Sequence, residues 1–184
     1  MYLLRHGQSL FNLHYTNTRK DPGIEDPELT PQGHAQAEIA AEFLGGQKIT
    51  RVIVSPYTRA LQTAAHVLQR HDVPVEIMHE VRERYAFACD IGRHRDLLSL
   101  DFPQHQFDHL PDRWWPEIRE TAEETIERAN RFRQLMASRD DHETTLLVSH
   151  WAFLLSLTGL SAENGEVLTY DPLDAPPQTI RWRP

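Results

Sequence analysis

Short apolar runs recur along the chain and predict buried strands. The main runs occupy residues 2–4, 52–54, 73–78 and 146–148. A strand that is covered on both faces has an uninterrupted apolar sequence, as in the parallel sheets of α/β proteins. Two further strands, at 167–170 and 178–183, are predicted at a sheet edge, joined by a Pro-rich turn.

Helical patterns separate these runs. Thr30 has the character of an N-cap, Pro31 fits the first helical position, and Gly45 with Gly46 ends the helix after about Leu44. Three further helices are predicted. One follows Ser55-Pro56 at residues 58–70, one has apolar residues at steps of three and four at 117–138, and one is an apolar stretch at 151–158 that Gly159 closes. Strands that alternate with helices in this way predict an α/β protein.

Two segments carry no regular pattern. Residues 13–28 are polar, and we expect a loop beside the mouth of any site at the strand ends. Residues 101–116 alternate aromatic residues with prolines, which predicts a lid or insertion over that site. His105 and His109 lie four residues apart, a spacing that metal sites use on helices. Because the segment has no helical pattern, we favour the lid over a metal site.

The composition is that of an ordinary globular protein. The chain has 184 residues, of which 40% are apolar and 25% are charged. This length predicts a single domain spanning 1–184 with a substantial core. The formal net charge of −8 argues against a nucleic-acid partner and against binding to an anionic membrane. No apolar run approaches the roughly 20 residues of a membrane span.

The number of cysteines and the first residues of the chain indicate the cellular compartment that we expect. Cys89 is the single cysteine, so an intrachain disulfide is excluded. The first predicted strand begins at Tyr2, which leaves no room for a signal peptide. We therefore expect a cytoplasmic protein.

Cationic and imidazole side chains follow three of the predicted strands. Arg5 and His6 come directly after the first strand, and His150 directly follows the run at 146–148. Arg59 lies on the first turn of the helix that follows the run at 52–54. Open α/β sheets bind ligands at the carboxyl ends of their strands. Guanidinium matches phosphate oxygens, and neutral imidazole is a nucleophile near pH 7. An acidic chain repels phosphate, so these groups would have to form a local cationic pocket.

Four motifs follow one another in the order of a known family: Arg5-His6-Gly7, Leu29-Thr30-x-x-Gly33-x-x-Gln36-Ala37, Ser55-Pro56-x-x-Arg59-Ala60-x-Gln62-Thr63 and Val148-Ser149-His150. Taken together, they resemble the histidine phosphatase superfamily, the phosphoglycerate-mutase-like proteins, over residues 2–160. The resemblance implies a three-layer α/β/α sandwich with a mostly parallel central sheet. It also implies a phosphomonoester hydrolase that acts on a small phosphorylated molecule.

The resemblance also implies roles for individual residues. His6 would attack phosphorus and form a phosphohistidine. Arg5, Arg59 and His150 would neutralise the equatorial oxygens, and Asn12 would add a neutral donor. Neither a cofactor nor a metal is implied, because the cationic donors supply the charge that a metal supplies elsewhere.

The general acid and the pocket walls depart from the family pattern. Glu83 is the implied acid, with Glu80 as its rival, because Val81 stands where the family commonly has Leu. We expect nearby cations to lower the pKa of Glu83 until a bound phosphate offsets them. Gly7 and Trp151 complete the implied substrate-binding residues, and Trp151 stands where many members have Gly.

Several alternatives stay open at this point. A phosphoglycerate-type mutase and a non-catalytic module that binds a phosphorylated ligand compete with the hydrolase. Arg93 and Arg95 belong to a cationic stretch that either contacts substrate or carries surface charge. The identity of the substrate and the oligomeric state, including a homodimer, are not determined by the sequence.

Overall fold

The structure is a computed structural model that describes residues 1–182. Five strands form one sheet: β1 (Tyr2–Arg5), β2 (Arg51–Val54), β3 (Val75–Ile77), β4 (Thr145–Ser149) and β5 (Val167–Thr169). Their order across the sheet is β3-β2-β4-β1-β5. The first four are parallel, and β5 pairs antiparallel with β1 at the edge. The predicted mostly parallel sheet is confirmed.

Helices cover both faces of this sheet: α1 (Leu10–Thr18), α2 (Pro31–Gly45), α3 (Thr58–Leu68), α4 (Arg95–Asp101), α5 (Ala122–Ala137) and α6 (Trp151–Thr158). Successive strand residues point to opposite faces. Leu4, Val54 and Val148 therefore pack with α2 and α3, whereas the neighbouring Leu3 and Ile53 pack with α5 and α6. The result is the predicted three-layer α/β/α sandwich.

Local signals in the sequence explain where two helices begin and end. The Thr30 hydroxyl accepts a hydrogen bond from the N–H of Gly33 at 3.0 Å, which caps α2 as predicted. α6 ends at Gly159, whose φ of 76° is left-handed and favours glycine. α5 starts later than predicted, at the Thr121 cap, and Ile118 is 77% exposed instead of buried.

The prediction of a loop at residues 13–28 is wrong in its first part, because α1 extends to Thr18. The signal was present in Ser9 and Asn12, which form a reciprocal capping box. The Ser9 hydroxyl accepts from the Asn12 N–H, and the Asn12 carbonyl oxygen accepts from the Ser9 N–H at 3.0 Å. A capping box satisfies two backbone donors that would otherwise be orphaned, and so fixes a helix start.

The segment 101–116 is not a lid over the strand ends, so that prediction is wrong. Phe107, Leu110, Trp114 and Trp115 are buried in the core layer that contains α2 and α3. Their apolar area is removed from water by packing on this layer, for example by Trp114 against the edge of Tyr57. The alternation of aromatic residues with prolines therefore reflects irregular core packing.

The two histidines of this segment also have a structural explanation. His109 donates from Nε2 to the carbonyl of Ile77 at 2.7 Å, at the end of β3. The ring of His105 packs against the ring of Phe107. Within residues 1–182 no group of three or more His, Cys, Asp or Glu side chains could hold a metal ion.

Residues 178–182 form no strand, so that part of the predicted edge pair is wrong, and Arg183 lies outside the described residues. The predicted strand at 167–170 is confirmed as β5. None of the helices within residues 1–182 is long and apolar enough to cross a membrane.

A close backbone approach joins the turn after β1 to the start of α2. A Cβ built on Gly33 would lie 2.1 Å from the carbonyl oxygen of Gln8, and one built on Gly7 would lie 2.2 Å from the carbonyl oxygen of Gly33. Backbone atoms cannot rotate away as a side chain does. Glycine at both positions is therefore a packing requirement, and it fixes the turn that carries His6.

We expect Gly33→Ala to lower the free energy of unfolding by about 1–3 kcal/mol, because the added methyl group overpacks this contact. Gly46→Ala is the matched control, since its Cβ would meet nothing closer than 3.9 Å and its φ is −87°. Urea unfolding followed by circular dichroism measures both. Equal midpoints for the two variants would contradict the packing argument.

Candidate active site

The carboxyl ends of β1, β2 and β4 meet at one edge of the sheet, beside a cavity of about 560 Å³. Six of the predicted site residues line this cavity: Arg5, His6, Asn12, Arg59, Glu83 and Trp151. His150 lies directly behind His6, with 5.1 Å between the ring centroids. The structure therefore brings together groups that lie far apart in the sequence.

His6 is buried at the floor of the cavity, and its protonation state is defined by its surroundings. Its Nδ1 lies 2.7 Å from the carbonyl oxygen of Gly7, which can only accept, so Nδ1 carries the proton. Burial, followed by the charges of Arg59 and Arg5, holds the pKa of His6 well below its usual value. The ring is therefore neutral, with an unprotonated Nε2.

His150 is fully buried behind this floor. Its Nε2 lies 2.7 Å from the hydroxyl of Ser55, whereas its Nδ1 is buried and finds no hydrogen-bond partner within residues 1–182. Burial, followed by the charge of Arg59, holds the pKa of His150 well below its usual value. A buried nitrogen that makes no hydrogen bond destabilises the folded state, so the position of His150 Nδ1 needs an explanation.

Gly7 does not line the cavity, although the sequence pattern placed it among the substrate-binding residues. Its N–H already donates to the hydroxyl of Thr63 at 3.1 Å. Its Cα faces the backbone of Gly33, as described for the turn after β1. Gly7 therefore contributes close packing beneath the site and not a donor to the cavity.

The two arginines are held by carbonyl and carboxylate oxygens. Arg5 donates from Nη1 to the carbonyl of Ala162 at 2.8 Å, and its buried Nε has no partner in the described chain. Arg59 is only 3% exposed and donates to the carbonyl of Cys89 at 2.8 Å and to Asp90 at 3.3 Å. Its guanidinium also lies over the ring of Tyr57, 4.2 Å from the centroid.

Glu83 is the carboxylate that reaches the cavity. The N–H of Ala152, at the start of α6, donates to Glu83 Oε1 at 2.9 Å, and the N–H of Arg84 donates to the same atom at 2.9 Å. Burial, followed by the charge of Asp90, raises the pKa of Glu83. Our expectation that nearby cations lower this pKa without a ligand is wrong, because desolvation outweighs them.

Glu80, the alternative acid, lies elsewhere. Its side chain is 51% exposed and pairs with His79 at 3.5 Å, and it does not line the cavity. Between the two carboxylates, geometry therefore favours Glu83. This distinction depends on the direction in which the chain leaves the turn at His79–Val81, which sequence spacing does not encode.

Asn12 and Trp151 complete the predicted set. The amide oxygen of Asn12 accepts from Ser9 and from Asn164, so its NH₂ group is the part that remains to serve a ligand. Trp151 donates from Nε1 to the hydroxyl of Ser161 at 2.9 Å, which fixes its ring as a wall of the cavity. Trp151 thus shapes the pocket without closing it.

Arg93 and Arg95, which the sequence left undecided, do not line this cavity. Arg93 forms an ion pair with Asp101, and Arg95 pairs with Asp96 at 3.1 Å. Both arginines therefore carry surface charge that is compensated locally.

Asp90 is an important residue that sequence reasoning missed. It is 1% exposed, and its carboxylate accepts from Arg59 and from the N–H groups of Ala86 and Phe87, at 3.0 and 3.1 Å. It therefore orders the loop after Glu83 and orients Arg59. It lies in a stretch that continues into Arg93 and Arg95, and nothing in the local pattern separates it from a surface carboxylate.

Arg128 is the second residue that the sequence did not reveal, because it falls within an amphipathic helix. From α5 it donates to the carbonyls of Glu80 and Arg82, both at 2.7 Å, and to the carboxylate of Glu120 at 3.0 Å. Burial lowers its pKa to about 10. Arg128 thus ties the segment that carries Glu83 to the helical layer.

An α/β sandwich with a neutral histidine, two arginines and a second buried histidine at its strand ends defines a class of proteins that bind and transfer phosphoryl groups. The family comparison agrees with this class. The pattern of the histidine phosphatase superfamily (branch 1) matches residues 1–171, and the chain belongs to that family. It is an enzyme of the phosphatase class, with the fold predicted from its motifs.

Three similar proteins place the chain within this family. Adenosylcobalamin/alpha-ribazole phosphatase of Escherichia coli K12 is 27% identical over 89% of this chain and 81% of its own. A Proteus mirabilis protein named as a phosphoglycerate mutase, GpmB, is 30% identical over 82% of this chain and 68% of its own. The structure of Bacillus stearothermophilus YhfR, 27% identical, superimposes with a TM-score of 0.60 over 85% of this chain and 76% of its own.

We expect Arg128→Met to lower the free energy of unfolding by about 1.5–3 kcal/mol, because buried hydrogen bonds from a charged donor are lost. Arg131→Met, an exposed arginine on the same helix, is the control and should change stability by less than about 0.5 kcal/mol. Chemical denaturation measures both values. If the two variants unfolded at the same denaturant concentration, the tether would be dispensable.

Proposed function

We propose that this enzyme hydrolyses phosphomonoesters in two steps, through a phosphohistidine on His6. The observation that carries the proposal is the neutral His6 ring, whose Nδ1 proton is held by Gly7 and whose Nε2 is unprotonated at the floor of a cationic cavity. An imidazole in this state has a lone pair available for attack without a prior proton transfer.

In the first step, Nε2 of His6 attacks phosphorus, and the bond from phosphorus to the ester oxygen breaks. The equatorial oxygens would be held by Arg5, Arg59 and the NH₂ group of Asn12. The unpartnered Nε of Arg5 supports this role, because a bound phosphate would supply the missing acceptor. Preorganised donors at the position of the developing charge are the main source of catalysis in phosphoryl transfer.

His150 serves the same oxygens if its Nδ1 carries a proton. That tautomer requires the hydroxyl of Ser55 to donate to Nε2, across the observed 2.7 Å contact. On this proposal Nδ1 offers a neutral donor to the phosphate, which would explain why this buried nitrogen has no partner within residues 1–182. Ser55 thus has a positioning role beneath the site.

Glu83 supplies the proton to the leaving oxygen. In the second step its carboxylate removes a proton from the water that attacks the phosphohistidine, and this returns His6 to its starting state. The raised pKa supports the acid role, because a group that donates a proton must carry one before the reaction. The charge balance of both steps is complete without a metal or a cofactor.

The proposal takes residues 1–184 as one domain in the cytoplasm. Pairing of β1 with β5, which come from opposite ends of the chain, supports a single folded unit. The one cysteine is buried and free, which fits a reducing compartment.

A mutase is disfavoured by the shape of the site. A mutase must protect its phosphohistidine from water, usually with chain that covers the pocket. The structure describes all of residues 91–150, and none of them lines the cavity. The segment 101–116, which could have formed such a cover, is buried in the core instead.

We expect His6→Ala to abolish turnover while it leaves the fold intact, since the ring packs beneath the cavity and does not support a core layer. Quenching wild-type enzyme in alkaline detergent during turnover of a ³²P-labelled substrate should trap a phosphoryl group that is stable to base and released by acid. Label on Ser or Cys would reject the nucleophile. Binding of a phosphoester without any turnover would support the non-catalytic alternative.

We expect Glu83→Gln to slow phosphorylation by an alkyl phosphate about 10²–10⁴-fold in single-turnover experiments, and to have much less effect with p-nitrophenyl phosphate. The nitrophenolate leaves without a proton, whereas an alkoxide does not. Glu80→Gln is the control and should match the wild type. Equal losses for both substrates would show that Glu83 only positions the site.

The same carboxyl group predicts the direction of the pH dependence. Because catalysis requires protonated Glu83, kcat/KM for an alkyl phosphate should fall as pH rises through the raised pKa of Glu83. The lowered pKa of His6 keeps the nucleophile neutral, so no loss from that group is expected near pH 6.5. The alkaline limb should disappear in Glu83→Gln.

A further inference from the structure

The walls of the cavity above the cationic floor are aromatic. Phe11 and Tyr15 from α1 stack with 5.1 Å between their centroids, and Phe87 contacts both rings at 5.4 and 5.2 Å. Trp151 and Trp182 line another part of the same cavity, with 6.1 Å between their centroids. We call the first three residues the aromatic wall.

The aromatic wall is not explained by core packing. Tyr15 and Phe87 are partly exposed and belong to neither of the two core clusters. They line a cavity of about 560 Å³, within the range of roughly 300–1,000 Å³ that drug-sized ligands occupy. A phosphate alone would leave most of this volume and the ring faces in contact with water.

We propose that the enzyme acts on phosphomonoesters whose alcohol carries a planar aromatic ring, of the kind found in nucleoside 5′-phosphates. This inference rests on the proposed function, because it assigns the group that remains attached to the leaving oxygen. The ring stacks on the aromatic wall while the phosphate lies over His6. Stacking on aromatic side chains is a strong and sequence-tolerant way to bind planar bases.

The loop from Glu83 to Asp90 connects the chemistry to the wall. Glu83 and Phe87 lie four residues apart, and the Phe87 N–H is held by Asp90, which also holds Arg59. The acid and the ring of Phe87 therefore lie on one loop, and the same loop holds Arg59 of α3 through Asp90. A leaving oxygen that faces Glu83 directs its substituent along this loop, past Phe87.

The rim of the cavity carries charges of both signs. Arg19 lies over Tyr15 at 5.8 Å from the ring centroid, and Arg84 lies over Trp182 at 4.7 Å. Glu163 lines the same rim and repels an added carboxylate or phosphate. Each guanidinium covers part of a ring, and its own planar face is a further surface on which a planar ligand can stack.

The test compares two substrates that share the same leaving group. Adenosine 5′-monophosphate and methyl β-D-ribofuranoside 5-phosphate present the same ribose oxygen, and only the first carries a base. We expect kcat/KM to be at least about tenfold higher for the nucleotide. Equal values, or faster hydrolysis of 3-phosphoglycerate than of either ribose ester, would overturn the inference.

Variants then assign the preference to the wall. Tyr15→Leu and Phe87→Leu keep apolar bulk but remove a ring, and each should reduce the ratio of the two kcat/KM values by about fivefold or more. Tyr15→Phe keeps the ring and should retain the ratio. Phe43→Leu, at a 56% exposed position on α2, is the matched control. An unchanged ratio in both leucine variants would reject the aromatic wall as the subsite.

A binding measurement separates this inference from the proposed function. His6→Ala should bind adenosine 5′-monophosphate at least about tenfold more tightly than the furanoside phosphate by calorimetry. Tighter nucleotide binding without turnover by the wild type would reject the hydrolase and keep the subsite. Turnover of both esters at equal rates, with equal binding, would keep the hydrolase and reject the subsite.

Discussion

Burial of positive charge at the strand ends is the constraint on which the rest of this site depends. The chain carries a net charge of −8, yet Arg59 is almost wholly removed from water beside two histidines. A buried guanidinium is tolerated only where oxygens satisfy its donors. Asp90 and the carbonyl of Cys89 do so here, and the loop that follows Glu83 provides both. The position of this loop is therefore determined by the cation that it must neutralise.

The cationic surroundings also decide the state of the two histidines. Protonation of His6 or His150 is unfavourable, since each ring is buried and close to Arg59. A neutral ring has one donor and one acceptor nitrogen. The carbonyl of Gly7 can only accept, so it fixes the proton of His6 on Nδ1, whereas the hydroxyl of Ser55 can either donate to or accept from Nε2 of His150. Two chemically identical side chains thus differ in what their hydrogen-bond partners determine.

The layers of the fold and the floor of the site could be predicted from the sequence, because both follow from local patterns. Apolar runs specify strands, and Arg5, His6 and His150 follow strands directly, so topology alone brings them together. Asp90 and Arg128 could not be predicted in this way. Their importance comes from partners distant in sequence, and a buried carboxylate or guanidinium has the same local sequence context as an exposed one.

Two aromatic segments also show that local sequence does not reveal the tertiary environment of a side chain. Residues 101–116 and the loop that carries Phe87 both combine rings with irregular chain, yet the first segment is buried in the core and Phe87 lines the cavity. The two segments differ in the surface against which the fold places them, the core or the cavity, and local sequence does not encode that placement.

The loop from Glu83 to Asp90 is held at its two ends by different parts of the molecule. Glu83 is held by the start of α6, the segment before it by Arg128 of α5, and Asp90 by Arg59 of α3. Its backbone conformation is therefore overdetermined and does not depend on the side chain of Phe87. A change at that position alters one ring of the cavity wall and leaves the contacts that hold Glu83, Asp90 and Arg59. The wall of the cavity can consequently change without loss of the hydrogen bonds that hold the charged groups beneath it.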